Sequence, residues 1–95
     1  MKSIIVDDLK HCFVCGTTEN VEVHHCIHGT SGRKLATRHH LTVGLCSEHH
    51  RGTNGVHGKN GAEFDLELKQ LAQISFEMKH SRSDWMKIFG RNYLD

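Results

Sequence analysis

The spacing of its thiols and imidazoles constrains this chain more than any other feature. All four cysteines and nine of the ten histidines lie between His11 and His57. They are arranged as Cys12-x-x-Cys15, Val21-Glu22-Val23-His24-His25, Leu45-Cys46-x-x-His49-His50 and Gly55-Val56-His57. Thiolate and imidazole are ligands for transition metals. The set is larger than one four-coordinate ion takes up. Such a set is expected to bring distant segments together around metal.

Composition points the same way. The chain has 95 residues, of which 37% are apolar and 6% aromatic. That allows one domain with a thin core, and chains of this size commonly need a disulfide, a metal or a partner. Metal is favoured over disulfides. The cysteines are unevenly spaced and adjoin histidine clusters, the first eight residues do not read as a signal peptide, and CxxC in an intracellular chain reads first as metal-binding or redox. A cytoplasmic location is therefore expected. No apolar run approaches the roughly 20 residues that span a bilayer. The net charge is only +1, but residues 30–61 carry Arg33, Lys34, Arg38, Arg51 and Lys59 against Glu48 alone. Such asymmetry suits a face that meets phosphate, or a solvated basic loop.

The chain divides into an arm (1–10), a ligand-rich core (11–60) and a C-terminal helical extension (61–95). Ile4, Ile5 and Val6 suggest an arm or short edge strand. Cys12-Phe13-Val14-Cys15-Gly16 has the form of a zinc knuckle, with glycine permitting a tight turn. Val21 to His25 alternates as a strand, residues 28–40 read as a basic Gly/Ser/Thr loop, and residues 41–45 form a second strand. A short helix is expected over residues 46–51. Gly52-Thr53-Asn54-Gly55 and Gly58-Lys59-Asn60-Gly61 are turn chemistry. From residue 62 to about 79, Phe64, Leu68, Leu71, Ala72, Ile74 or Ser75, and Met78 recur at helical spacing, which fits an amphipathic helix whose apolar residues read as core. Ser83-Asp84 is expected to cap a last helix carrying Trp85, Met86, Ile88 and Phe89 and ending at Gly90. Trp85, Phe89 and Tyr93 read as core or as an interface. The fold class is α+β.

Spacing sorts the ligands. Cys12, Cys15, Cys46 and His49 form CxxC…CxxH, a tetrahedral donor set for a closed structural zinc. Cys26 has no partner at knuckle spacing and reads as a buried free thiol. His24, His25, His50 and His57 remain. Adjacent strand residues face opposite ways, so His24 and His25 cannot serve one ion together, but one can ligate metal while the other handles a proton. With His50 after the zinc ligand, this gives a second site with open coordination positions.

The order CxxC…Glu-x-His-His…Leu-Cys-x-x-His-His…Gly-Val-His resembles the HNH endonucleases of the His-Me finger (ββα-metal) superfamily, especially small phage-encoded ones with a treble-clef zinc. The resemblance covers about residues 11–60. It implies a ββα-metal core with C-terminal helices and hydrolysis of DNA phosphodiesters with low sequence preference, in a phage or prophage product acting in a bacterial host. His25 would be the general base and His24 and His50 metal ligands, with His57 completing or supporting the site. The catalytic ion would be Mg²⁺, Mn²⁺, Ni²⁺ or Zn²⁺. Arg33, Lys34, Arg38, Arg51 and Lys59 would contact phosphates, and a homodimer would suit a double-strand cut. At the position of the family's middle asparagine this chain has Leu41. His40 or His39 is then the candidate to supply the orienting hydrogen bond.

Two other readings fit parts of the pattern. A non-catalytic zinc module for nucleic acid or protein explains CxxC…CxxH and the basic loop but leaves His24, His25 and His50 idle. A thiol redox protein would use Cys12 and Cys15, but lacks the βαβ pattern that accompanies such motifs.

Overall fold

The computed structural model describes residues 2–94. Its elements are β1 (Val21–His25), α1 (Thr30–Arg38), β2 (Thr42–Cys46), α2 (Ser47–Arg51), α3 (Ala62–Glu77) and α4 (Arg82–Phe89). The two strands form an antiparallel pair with Val21 opposite Cys46, Val23 opposite Gly44 and His25 opposite Thr42. The α+β class is as expected, with one two-stranded sheet and four helices among the described residues. No helix among them is long and apolar enough to cross a membrane.

Every residue of β2 is buried. The N-terminal segment covers this strand: Phe13 donates its backbone N–H to Gly44 at 2.7 Å, and Ser3 Oγ donates to the Thr42 carbonyl at 2.6 Å. Residues 2–10 hold no strand; Ile5 and Val6 pack on the core as an irregular arm. The apolar centre is formed by Leu41, Val43 and Leu45 from the second strand region with Leu68, Ala72, Phe76 and Trp85 from the C-terminal helices. Residues 61–94 therefore complete the core of the ligand-rich segment.

The expected loop over 28–40 is instead largely the helix α1. Its Gly, Ser and Thr residues have weak intrinsic helix preference. Packing overrides it: Ala36 is fully buried, and the Gly32 side of the helix lies against Ile27. Arg38 in the last turn suits the negative end of the helix dipole.

Two further expectations are corrected in the C-terminal helices. On α3 the buried stripe is Leu68, Ala72, Gln73 and Phe76, while Ile74 and Met78 face solvent. Apolar type alone misplaces them, because the i, i+4 series through Leu68 leaves both on the far side. The cap of α4 is Ser81 rather than Ser83: its side chain accepts the Asp84 N–H at 3.0 Å. Gly90 ends that helix in the left-handed conformation, φ 74°. Trp85 is fully buried and donates its indole N–H to the Arg91 carbonyl at 2.7 Å, and the partly buried Phe89 and Tyr93 pack against the core beside it. Gln73 binds the tail on both sides, accepting from the Tyr93 N–H and donating to Asn92 Oδ1.

Candidate metal centres and cleft

The knuckle at Cys12 closes by a Gly16 N–H to Cys12 carbonyl bond of 2.9 Å, with Gly16 at φ 77°, where a side chain would be strained. This turn carries Cys12 and Cys15 to the end of β2, where Cys46 stands, while α2 delivers His49. The four donor atoms lie within 4.8 Å of one another. Cys15 and Cys46 Sγ are 3.9 Å apart, and His49 Nδ1 is 3.6 Å from Cys12 Sγ and 3.2 Å from Cys46 Sγ. A tetrahedron with arms of about 2.3 Å to sulfur and 2.0–2.1 Å to nitrogen has edges of about 3.8 Å and 3.6 Å. The Cys₃His cluster thus has the dimensions to hold zinc. At Cys12 burial pushes the thiol up, but backbone N–H groups of Cys15, Cys46 and Val14, with His49, outweigh it and draw the pKa down to about 6. Thiolate is the ligand form. Cys26 is fully buried outside this cluster, and burial pushes its thiol up to about 12, as for an inert core cysteine.

The single turn of α2 serves two sites. Successive helix residues point about 100° apart, so His49 faces the sulfurs while His50 faces Glu22 and His24 of β1. The chain after α2 then folds back: Val56 N–H binds the His49 carbonyl and His57 N–H the His50 carbonyl, each at 2.9 Å. Glycine at every third position makes this possible. Gly55, Gly58 and Gly61 each donate to the glycine three residues earlier, and a Cβ at Gly58 or Gly61 would collide with the carbonyl of Gly52 or Gly55. His57 is thereby placed beside His50.

His24, His50 and His57 bring ring nitrogens within 4.8 Å of one another. Their ring centroids are 4.9 to 5.3 Å apart. His24 is 2% exposed, and its Nε2 has no hydrogen-bond partner. An orphaned buried nitrogen costs about 1–3 kcal/mol, so it calls for a ligand. Burial, followed by the neighbouring imidazoles of His50, His57 and His28, pushes the His24 pKa down to about 3. The ring is neutral, as metal ligation requires. The His57 pKa is also lowered, by burial and then by His50 and His28. His50 donates from Nδ1 to Glu22 Oε1 at 3.0 Å, which leaves its Nε2 to turn toward the cluster. Carboxylate-held imidazole is the usual second layer of a metal site. His24, His50 and His57 thus form a group that could hold a metal ion.

The cluster opens into a cleft of about 1280 Å³. Its walls include His24, His25, His28, Arg33, Thr37 and His50. His25 lies on the strand face opposite to buried His24 and is half-buried. Its Nε2 meets Thr37 Oγ1 at 2.9 Å. Burial and then the Arg33 charge lower its pKa from the ordinary value.

The other sequence-predicted residues divide. Arg33 and Lys34, on α1, line the cleft with Arg51. Arg51 is clamped by Glu22, at 3.0 Å through Nε and 2.9 Å through Nη2, so its charge is already engaged. Arg38 and Lys59 are exposed and lie outside the cleft lining. Neither His39 nor His40 reaches His25: His39 packs edge-on against Phe76 and Phe89, and His40 is exposed at φ 61°. Leu41 is fully buried in the core.

Sequence reasoning misses four residues: Thr37, the pair His28 and Asp65, and Glu22. Thr37 is hidden when 28–40 is read as a loop. His28 donates to Asp65 Oδ1 at 2.7 Å, pinning α3 to the cleft; the two are far apart in sequence, and no spacing signal joins them. Glu22 stands in the motif Glu-x-His-His without an assigned task. Comparison with family models, curated proteins and solved structures gives no match.

Proposed function

We propose that the protein is a metal-dependent endonuclease of the HNH type, hydrolysing phosphodiester bonds in DNA. The observation that carries this reading is the partnerless Nε2 of buried His24, grouped with His50 and His57 beside His25 in a cleft with a basic wall. A closed zinc module has no use for this second cluster. The order β1, β2, α2, with α1 inserted between the strands, agrees with the ββα-metal core of the resemblance.

In this reading His24, His50 and His57 hold a divalent ion, Mg²⁺, Mn²⁺, Ni²⁺ or Zn²⁺, with imidazole favouring the later transition metals. When bound, the ion supplies charge neutralisation at the phosphate and the leaving oxygen. His25, neutral because its pKa lies below the ordinary 6.5, takes the proton from water as the water oxygen bonds to phosphorus and the P–O3′ bond breaks. Glu22 keeps His50 oriented. Arg33 and Lys34 bind flanking phosphates, which gives affinity without base readout.

A second reading, a non-catalytic zinc module that binds nucleic acid, is favoured by Leu41, an apolar residue where the family has asparagine. A plasmid-nicking assay with each metal, using His25→Ala as control, separates the two. Metal-dependent cutting lost in the variant supports the nuclease; binding without cutting supports the module.

A further inference from the structure

We infer that Thr37 is the positioning residue for His25, holding its ring as the Nε2–H tautomer so that Nδ1 is the proton-accepting atom. This rests on the reading of His25 as the base.

The number of available protons decides the tautomer. The Thr37 hydroxyl has one hydrogen and two partners, His25 Nε2 at 2.9 Å and the Arg33 carbonyl at 3.1 Å. A carbonyl can only accept. The hydrogen therefore goes to Arg33, one turn back on the same helix, an ordinary arrangement for helical threonine. The hydroxyl oxygen is left with lone pairs, and His25 must be the donor from Nε2. A neutral imidazole that donates from one nitrogen accepts at the other. No other hydrogen bond to the His25 ring occurs among the described residues.

The hydroxyl is itself held firmly. Thr30, Arg33, Lys34 and Thr37 recur at i, i+3, i+4 and i+7 and form the cleft face of α1. The other face is fixed: Ala36 is fully buried, its carbonyl takes the Leu41 N–H at 2.9 Å, and Gly32 has no room for a Cβ without crowding Ile27. Leu41, just before β2, has no polar side-chain atom with which to orient His25, and the inserted helix does so from across the cleft. The same helix presents Arg33 and Lys34, so placement of the base and capture of phosphate are coupled in one rigid element.

The test uses the zinc-loaded full chain and its Thr37→Val and Thr37→Ser variants. Long-range ¹H–¹⁵N correlation reads the His25 tautomer, and plasmid nicking at saturating DNA reads kcat. The parent is expected to show Nε2–H alone. Thr37→Val should give mixed tautomers and about a tenfold lower kcat with KM unchanged, the size of one missing hydrogen bond; Thr37→Ser should restore both. A parent ring protonated at Nδ1, or a Thr37→Val protein with parent tautomer and kcat, overturns the inference. A tautomer shift without loss of cutting overturns only Thr37's catalytic role. A parent that cuts no DNA overturns that role together with the nuclease reading.

Discussion

Replacing His24 with leucine should stabilise the protein whenever the second cluster lacks metal. In the parent the buried Nε2 is unsatisfied, at a cost of about 1–3 kcal/mol. Leucine has similar bulk and no polar atom, and its neighbour across the sheet is Val43, fully buried. For a domain of this size each kcal/mol moves Tm by about 4–8 °C. With one equivalent of zinc, taken up by the Cys₃His site, His24→Leu should therefore melt at least about 4 °C above the parent. A second equivalent of metal should raise the parent's Tm and leave the variant's unchanged. The pH dependence has a definite sign. The folded pKa of about 3 lies below the unfolded value of 6.5, so between these pH values the unfolded chain binds more protons. Stability conferred by the neutral ring is full above about pH 6.5 and is lost as pH falls toward 3. The leucine variant should show a shallower loss over that window. A lower Tm for His24→Leu at one equivalent of zinc would mean that His24 is ordinary core packing and that its nitrogen carries no penalty.

Further outcomes follow from the same geometry. Cys12→Ser should unfold the domain, because a structural zinc contributes about 10–16 kcal/mol against a net stability of about 5–15 kcal/mol; a zinc-free variant with cooperative melting would contradict this. Glu22→Gln should weaken metal binding at the histidine cluster about 10–100-fold by calorimetry, and unchanged affinity would remove Glu22 from its support. Arg33→Ser with Lys34→Ser should weaken DNA binding equally across sequences and lower the salt slope by about one unit for each phosphate no longer neutralised. Arg38→Ser, outside the cleft lining, should leave that slope near the parent value.

Much of the grouping of the candidate ligands is legible because ligand spacing is local. The CxxC and CxxH offsets mark Cys12, Cys15, Cys46 and His49, and strand alternation separates His24 from His25. Residues 28–40 look like a loop because Gly29, Thr30, Ser31, Gly32 and Thr37 surround the short run of good helix formers from Arg33 to Ala36, and the burial of Ala36 and the close packing at Gly32 that hold the helix are tertiary. Ile74 and Met78 mislead because their type suits a core that the helix phase denies them. Thr37 and the His28–Asp65 pair belong to contacts across elements, where no sequence period operates. Arg51 illustrates the converse: its charge is plain in the sequence, but the bidentate clamp by Glu22 that engages it is not.

The proposed metal-dependent phosphodiester hydrolysis at the histidine cluster is tested by plasmid nicking with the zinc-loaded protein. Across Mg²⁺, Mn²⁺, Ni²⁺ and Zn²⁺, supercoiled DNA should be nicked by the parent with at least one ion. Cutting should be lost in His25→Ala and His24→Ala, both retaining the Cys₃His zinc. No cutting with any of these ions, or cutting by His25→Ala at the parent rate, would rule out hydrolysis by this cluster as described.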